Sequence, residues 1–208
     1  AGLPFYGPNA WPCGLSEFKP VMNEYHGAMV ELGRRLLRAF AIALDVEETY
    51  FNSHFHKPIA QIRLLRYPPA PANQLPLNGA GEHTDFGWLT MILQDATGRL
   101  EVLDRDGRWI YAPPIPGTFV VNVGDLMQRW TNDRYVATFH RVINRARHER
   151  YSAAFFMDPD YHAEVACLPT CVSPLSPARY EPITVGDYMD RRFLETTTFR
   201  VQPDSSTE

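Results

Sequence analysis

The chain has 208 residues, of which 45% are apolar and 21% are charged, and its formal net charge is −4. This length allows one sizeable core, and the composition is that of an ordinary globular protein. The slightly negative charge excludes a general attraction to nucleic acid or to an anionic membrane, and no apolar run is long enough to span a bilayer.

The cysteines and the first residues of the chain indicate a reducing environment. Cys13, Cys167 and Cys171 cannot all pair, and the chain contains no Asn-x-Ser/Thr sequon. The opening AGLPFYGPNAWP lacks the basic and apolar regions of a secretory signal. Because no second cysteine pair accompanies Cys167 and Cys171, we interpret them as ordinary thiols and not as a zinc site. We expect a monomeric, cytoplasmic protein.

Two helices are expected before the first strand. Residues 18–45 place Val21, Tyr25 and Met29 at four-residue steps, which predicts an amphipathic helix. Residues 45–51, DVEETYF, predict a short second helix. An apolar stripe of this kind is an ordinary packing surface, so we assign it no chemistry.

From Pro58 the pattern becomes that of short β-strands. Seven runs rich in β-branched and aromatic residues follow: IAQIRLLRY (59–67), WLTMILQD (88–95), RLEVLD (99–104), WIYAPP (109–114), TFVVNV (118–123), ATFHRVI (137–143) and YSAAFFMD (151–158). Asn78-Gly79 and Asp106-Gly107 are the strongest turn signals between runs. Seven or eight antiparallel strands with regular turns predict a sandwich, a jelly roll or a closed barrel.

Two helical segments accompany the strands. NVGDLMQRWTND, residues 122–133, predicts a helical turn that Asp125 starts. TVGDYMDRRFLETT, residues 184–197, predicts a C-terminal helix with Thr184 as its N-cap. The chain is therefore mainly β with flanking helices.

Three side chains form a candidate metal site. His83 and Asp85 lie two positions apart in GEHTDFG, so they share a face if this segment is extended. His140 lies within a strand, where an unpaired imidazole is costly to bury. Two imidazoles and one carboxylate leave three positions open on an octahedral metal, the arrangement expected for non-haem Fe(II) oxygenases. Zinc hydrolases also use His and Asp, and a core hydrogen bond would also satisfy His140.

A second candidate site follows His140 in the chain. Arg150 and Ser152 share a face of the last strand, and a guanidinium with a hydroxyl is a good receptor for a carboxylate. Tyr67 in LLRYPP adds a phenol that can donate to the same anion. A redox metal near such a receptor suggests 2-oxoglutarate, whose keto-acid end would chelate the metal. The alternative for Arg150 is a surface charge in the basic stretch RARHERY.

Over nearly its whole length the chain resembles the isopenicillin N synthase-like Fe(II)/2-oxoglutarate-dependent dioxygenases. The resemblance rests on LLRYPP, GEHTDFGWLTMILQD, the segment 98–144, ERYSAAFFMDPD and YEPITVGDYMDRRF. It implies the double-stranded β-helix, which is a jelly roll. The residues that it implies are the iron ligands His83, Asp85 and His140, and the 2-oxoglutarate-binding residues Arg150, Ser152 and Tyr67.

The resemblance also implies an activity and a domain plan. Fe(II), 2-oxoglutarate and O2 would serve the hydroxylation, desaturation or ring closure of a small organic substrate, with release of succinate and CO2. We expect Phe86 at the substrate pocket, with core packing as the alternative. We also expect one domain over 1–208 that lacks the upstream part of the family. Within it we expect a helical flank (1–57), a jelly-roll core (58–168), and a C-terminal helix and tail (169–208).

Two alternative functions remain open. The isopenicillin N synthase type of oxidase uses no keto acid, because its substrate provides all the electrons. A catalytically silent homologue would keep the barrel and bind a metal or a ligand without turnover.

Overall fold

The computed structural model describes residues 2–69, 77–144 and 147–198, and its first element is a long helix. Helix α1 spans Phe18–Ala43, and its buried residues Met29, Gly33, Leu37 and Ala41 recur at four-residue steps. The helix ends two residues before the predicted boundary at 45, because Asp45 adopts a φ of 56°, a left-handed conformation that stops a helix. A 3-10 helix at Tyr50–His54 replaces the second helix predicted at 45–51.

The strands form two four-stranded sheets and a short ribbon. In chain order they are β1 (Ile59–Tyr67), β2 (Leu77–His83), β3 (Leu89–Gln94), β4 (Leu100–Leu103), β5 (Trp109–Ala112), β6 (Val120–Val123), β7 (His140–Asn144), β8 (Arg150–Asp158), β9 (Glu164–Val165) and β10 (Ile183–Thr184). The major sheet has the order β1-β8-β3-β6, the minor sheet has the order β2-β7-β4-β5, and β9 pairs with β10. Their described pairings are antiparallel, and the seven predicted strands are confirmed.

One predicted turn is wrong. Asn78-Gly79 lies inside β2, where the register with β7 shifts between Asn78 and Ala80. A Cβ added to Gly79 would lie 2.9 Å from Cδ1 of the Tyr67 ring. Glycine is needed here because a strand irregularity approaches an aromatic ring closely, and not because the chain reverses. The Asp106-Gly107 turn is confirmed, with Gly107 at a φ of 76°.

Two apolar clusters lie on opposite faces of the major sheet. The outer cluster packs Met29 and Leu37 of α1 against Met91, Phe155 and Met157. The inner cluster lies between the two sheets and consists of Tyr67, Ile92, Leu100, Val142 and Ala154. Successive residues of β8 alternate between these clusters, as the two-residue period of a strand requires.

The two later helices begin as the sequence predicts. Helix α2 spans Asp125–Trp130 and helix α3 spans Val185–Thr198. The backbone N–H of Asp187 donates to Oγ1 of Thr184 at 3.1 Å, and this hydroxyl donates to Oδ2 of Asp187 at 2.7 Å, so the predicted N-cap is confirmed. The division of the chain at residues 57 and 168 stays a prediction.

Two simple properties of the described residues concern their helices and their cysteines. None of their helices combines the length and the apolar character that crossing a bilayer requires. Cys13, Cys167 and Cys171 are free thiols. Within the described ranges the group of residues that could hold a metal ion contains neither Cys167 nor Cys171, and their interpretation as ordinary thiols stays a prediction.

Candidate metal centre

His83, Asp85 and His140 converge at one end of the minor sheet. His83 is the last residue of β2, and it lies opposite His140, the first residue of β7. The centroids of the two imidazole rings are 4.3 Å apart. One ligand-type atom from each of the three side chains lies within 4.8 Å of the other two, a separation that allows a single ion to contact all three.

The carboxylate joins this cluster from a loop and not from a strand. Strand β2 ends at His83, so Asp85 lies just beyond the strand, and its side chain reaches the same cluster as that of His83. Oδ1 of Asp85 lies 3.9 Å from Nε2 of His83 and 3.7 Å from Nε2 of His140.

Backbone carbonyl groups orient both imidazoles. Nδ1 of His83 lies 2.7 Å from the carbonyl oxygen of Gly81, and Nδ1 of His140 lies 3.1 Å from that of Thr138. A carbonyl oxygen only accepts, so this geometry assigns the proton to Nδ1 in both rings. Each Nε2 lone pair is then free to bind a metal, an arrangement common among metal-ligating histidines.

Two polar side chains orient the carboxylate. Oγ1 of Thr90 donates to Oδ2 of Asp85 at 2.6 Å, and Nδ2 of Asn122 donates to the same oxygen at 2.8 Å. Oδ2 is therefore occupied by protein donors, while Oδ1 is the oxygen that faces the two imidazoles. The backbone of the loop is held as well, because the N–H of Asp125 donates to the carbonyl oxygen of Asp85 at 2.8 Å.

The three side chains differ in burial, and burial affects the pKa of His140. His140 is 6% exposed and Asp85 is 8% exposed, whereas the side chain of His83 is 47% exposed. Burial lowers the pKa of His140, an effect that the Asp85 carboxylate partly opposes and His83 reinforces. The ring is therefore neutral near pH 7, as a metal ligand must be. Because the side chain of His83 is half exposed, solvent can reach the cluster from the side on which His83 lies.

Arg150 forms a second polar centre at the start of β8. Its guanidinium is buried, with the whole residue 1% exposed. Nε donates to the carbonyl oxygen of Gly98, Nη1 donates to Oγ of Ser152 at 3.3 Å, and Nη2 donates to Oε1 of Gln94 at 3.5 Å. The guanidinium carbon lies 4.7 Å from the ring centroid of Tyr67, which pairs with Arg150 across β1 and β8. The surface alternative for Arg150 is therefore wrong.

The protein partners of Arg150 are neutral. Within the described ranges no carboxylate forms an ion pair with this guanidinium, and its hydrogen bonds go to uncharged oxygens. Burial lowers the pKa of Arg150, while Tyr67 and Asp95 raise it in part. Three of the five N–H groups have these acceptors, and Tyr67 is a further hydrogen-bonding partner of the guanidinium. A buried fork of this kind fits the two oxygens of a carboxylate.

Phe86 lies next to the carboxylate but packs against α3. Its ring centroid is 5.6 Å from that of Phe193 in an edge-to-face arrangement, and the guanidinium carbon of Arg192 lies 4.5 Å from the Phe86 centroid. These contacts are those of the packing alternative. A role for Phe86 toward a substrate stays a prediction.

Several polar residues of these two centres were not assigned a role from the sequence. They are Thr90 and Asn122 beside Asp85, and Gln94 and the Gly98 carbonyl beside Arg150. The sequence of β3 could have revealed two of them, because the polar residues Thr90 and Gln94 lie on the same inward face as the apolar Ile92. Polar residues on the inward face of a strand need partners, so they mark a polar centre.

Known proteins share this architecture. Residues 58–159 match the model of the 2OG-Fe(II) oxygenase superfamily. The 2-oxoglutarate-Fe(II) type oxidoreductase hxnY of Emericella nidulans is 43% identical over 187 residues, which cover 87% of this chain and 54% of that protein. The chain spans about half the length of such curated relatives, with 54%, 55% and 50% of three of them covered.

Solved structures agree with this match. A full-length Neurospora crassa protein in complex with alpha-KG and thymine has a TM-score of 0.86 and 34% identity, covering 91% of this chain and 61% of that one. JOX2 in complex with 2OG, Fe and JA has a TM-score of 0.79 and 32% identity, covering 88% of this chain and 54% of that one. The predicted jelly roll is confirmed by these structures, and the predicted cofactors Fe(II) and 2-oxoglutarate are among the ligands bound in these similar proteins. Since family model, sequence relatives and solved structures agree, the chain belongs to the 2OG-Fe(II) oxygenase superfamily.

Proposed function

We propose that the protein containing this chain is an oxygenase that uses Fe(II) and 2-oxoglutarate to oxidise a small organic molecule. The observation that carries the proposal is the convergence of three ligand-type atoms, the Nε2 atoms of His83 and His140 and Oδ1 of Asp85. The Nδ1 atoms of both imidazoles and Oδ2 of the carboxylate are hydrogen-bonded to the protein. The lone pairs of the other three atoms therefore point at one another. Repulsion between these lone pairs is relieved when a cation lies among them.

The donor set fits Fe(II). Two imidazoles and one carboxylate form the facial triad of non-haem iron oxygenases and leave three of six positions open. In this proposal His83, Asp85 and His140 hold the metal, and the bound iron supplies the activation of O2. The protein contributes a fixed donor geometry and a buried carboxylate with 8% exposure, from which water is largely excluded.

Arg150, Ser152 and Tyr67 are proposed to bind the far carboxylate of 2-oxoglutarate. The planar guanidinium of Arg150 suits a bidentate contact with a carboxylate, and Ser152 is already hydrogen-bonded to Arg150 at 3.3 Å. Tyr67 stacks on the guanidinium and fixes its plane. An anion at this point would also compensate a buried positive charge that has no carboxylate partner among the described residues.

The substrate is proposed to be a small molecule, and the outcome to be hydroxylation, desaturation or ring closure. The similar Neurospora crassa structure contains thymine and the JOX2 structure contains JA, which supports a small organic ligand. The net charge of −4 supports the absence of a nucleic-acid partner. A monomeric state and a cytoplasmic location stay predictions.

An anaerobic titration tests the proposal. Fe(II) and 2-oxoglutarate are added to the full chain, and a weak visible charge-transfer band is expected from their chelate. Air is then admitted with candidate metabolites, and succinate is measured. His83→Ala should lose both signals, whereas His56→Ala, which removes an exposed imidazole outside the cluster, should keep them.

Two other results would identify the alternative functions. Substrate oxidation without any requirement for a keto acid would favour the isopenicillin N synthase type of oxidase. A colourless mixture that releases no succinate would favour the silent homologue. Either result would overturn the proposed use of 2-oxoglutarate.

A further inference from the structure

Two residues outside the metal cluster hold its carboxylate. Thr90 on β3 and Asn122 on β6 lie directly opposite each other in the major sheet. Both side chains donate to Oδ2 of Asp85, at 2.6 Å and 2.8 Å. Thr90 is only 2% exposed, so its hydroxyl has little access to water as an alternative partner. This cross-strand pair therefore fixes the rotation of the carboxylate.

The two donors leave Oδ2 unable to act as a ligand. Each carboxylate oxygen offers about two lone-pair sites, and the two hydrogen bonds fill those of Oδ2. Oδ1 lies 3.7 Å and 3.9 Å from the two imidazole nitrogens. A cation among the three side chains therefore meets a single carboxylate oxygen.

We propose that Thr90 and Asn122 are positioning residues that restrict Asp85 to one metal-binding oxygen. This inference rests on the proposed function. An octahedral ion with three protein ligands keeps three positions, of which 2-oxoglutarate needs two and O2 needs one. If Asp85 used both oxygens, one of these positions would be lost. Thr90 and Asn122 thereby protect the binding of the co-substrate without touching it.

The backbone around Asp85 does not depend on this pair. The N–H of Asp125 donates to the Asp85 carbonyl oxygen at 2.8 Å, and the N–H of Trp88 donates to Oδ1 of Asp158 at 2.6 Å. Substitution of Thr90 or Asn122 should therefore free the carboxylate group while the loop stays in place. This separation makes the inference testable by side-chain changes alone.

The test compares isosteric variants in the full chain loaded with Co(II) or Fe(II) without oxygen. Thr90→Val removes the hydroxyl at nearly constant volume, Thr90→Ser restores it, and Asn122→Leu removes the second donor. We expect metal affinity to fall by about 10-fold or more in Thr90→Val and Asn122→Leu. At saturating metal we expect a changed Co(II) d–d spectrum and an affinity for 2-oxoglutarate lowered by about 10-fold, equal to about 1.4 kcal/mol.

Controls separate this effect from a general loss of structure. Thr90→Ser should retain the wild-type spectrum and 2-oxoglutarate affinity, and Thr118→Val, in an exposed turn, should match the wild type. Thermal unfolding of each metal-free variant checks its fold. If Thr90→Val does not fold, Asn122→Leu decides, since Asn122 is only partly buried.

The outcomes also distinguish this inference from the proposed function. Failure of the wild type to bind Fe(II) and 2-oxoglutarate would reject the proposed function and the inference with it. A normal wild type with unchanged spectra and affinities in Thr90→Val and Asn122→Leu would reject the inference alone. The same holds if Thr90→Ser behaves like Thr90→Val, because the hydroxyl would then not be the cause.

Discussion

Arg150 shows how one residue can reveal a ligand site. A buried guanidinium is unfavourable unless hydrogen bonds and a counter-charge compensate the lost hydration. The protein supplies the hydrogen bonds through Gly98, Ser152 and Gln94. Within the described part of the chain it supplies no carboxylate at ion-pair distance. The missing counter-charge is what an acidic co-substrate would bring.

We predict that Arg150→Ala raises the 2-oxoglutarate concentration needed for half-maximal binding by about 30-fold, because a charged bidentate partner is worth about 2 kcal/mol. Metal affinity should change little. The measurement is a 2-oxoglutarate titration of the visible band, with Arg105→Ala as a control in an exposed hairpin turn. An unchanged affinity for the keto acid would mean that the carboxylate binds elsewhere.

Asp158 gives a prediction on the pH dependence of stability. Complete burial raises the pKa of this carboxyl to about 7, a rise that the Trp88 N–H opposes and Asp85 reinforces, whereas its ordinary value is 3.8. Below pH 3.8 the group is protonated in both folded and unfolded chains. As pH rises toward 7, only the unfolded chain ionises, so the free energy of unfolding falls, and the loss is complete above that pKa.

Asp158→Asn should remove this fall, because its amide oxygen still accepts the Trp88 N–H and has no charge to bury. We expect the variant to exceed the wild type at pH 8 by a few kcal/mol, and the difference to disappear near pH 4. Urea unfolding of the metal-free proteins at several pH values between 4 and 8 measures this difference in the free energy of unfolding. Asp106→Asn, which changes an exposed side chain, should leave the dependence of stability on pH unchanged. If the stabilities of Asp158→Asn and the wild type changed with pH in parallel, the prediction would be contradicted.

At the scale of elements, the packing of α1 on the major sheet depends on a close approach between Gly33 and Met157. Gly33 is buried on the inner side of α1, and a Cβ added there would overlap Sδ of Met157 on β8. Met157 is itself fully buried, so its side chain has little room to move. The absence of a side chain at Gly33 lets the helix lie close to the sheet.

We predict that Gly33→Val lowers the free energy of unfolding by about 1–3 kcal/mol through overpacking, with some loss of helix propensity added. Gly27→Ala is the matched control in the same helix, because nothing lies within 4 Å of its added Cβ. That change should raise stability by up to about 1 kcal/mol. Chemical denaturation of both variants gives the comparison, and a stabilised Gly33→Val would disprove the close contact.

Most elements could be predicted from the sequence, because their signals are local. The strand-forming residues of IAQIRLLRY and the four-residue steps from Val21 to Met29 each report a single element. β2 was missed because Asn78-Gly79 gives the same local signal for a bulge as for a turn. The distinction depends on the Tyr67 ring, which comes from another strand.

The candidate site also contains residues that could be predicted from local patterns and residues that could not. The residue types of His83, Asp85 and His140 point to a metal without any structure, and Arg150 with Ser152 points to an acid. The roles of Thr90 and Asn122 depend on the register between β3 and β6, which places both donors on one oxygen. The path of Asp85 depends on a loop that the α2 backbone holds. Such long-range pairings are not encoded in short patterns.

At the scale of the whole molecule, binding of an ion at the proposed metal site would be coupled to folding. The metal cluster draws its residues from two strands of the minor sheet and from the loop that enters the major sheet. An ion bound there connects both layers and is absent from the unfolded chain. It therefore stabilises the fold in proportion to the logarithm of its concentration over its Kd.

We predict that Mn(II), a redox-stable substitute, raises the melting temperature of the full chain, and that 2-oxoglutarate raises it further. At 100 times the Kd the gain in free energy is about 2.7 kcal/mol. A chelator should reverse the shift, and His83→Ala should show none. Differential scanning calorimetry at several concentrations measures it, and an equal shift in His83→Ala would mean that the ion binds elsewhere.

Strand β8 carries the proposed acid receptor at its first residue, both apolar clusters along its middle, and the carboxyl that meets the Trp88 amide at its last residue. A slip of one position against β1 would turn Tyr151 inward and Arg150 outward, and would move Phe155 away from α1 at the same time. Misaligned chains would therefore lose their core together with their chemistry. The register that forms the core is therefore the same register that places Arg150 inside the protein.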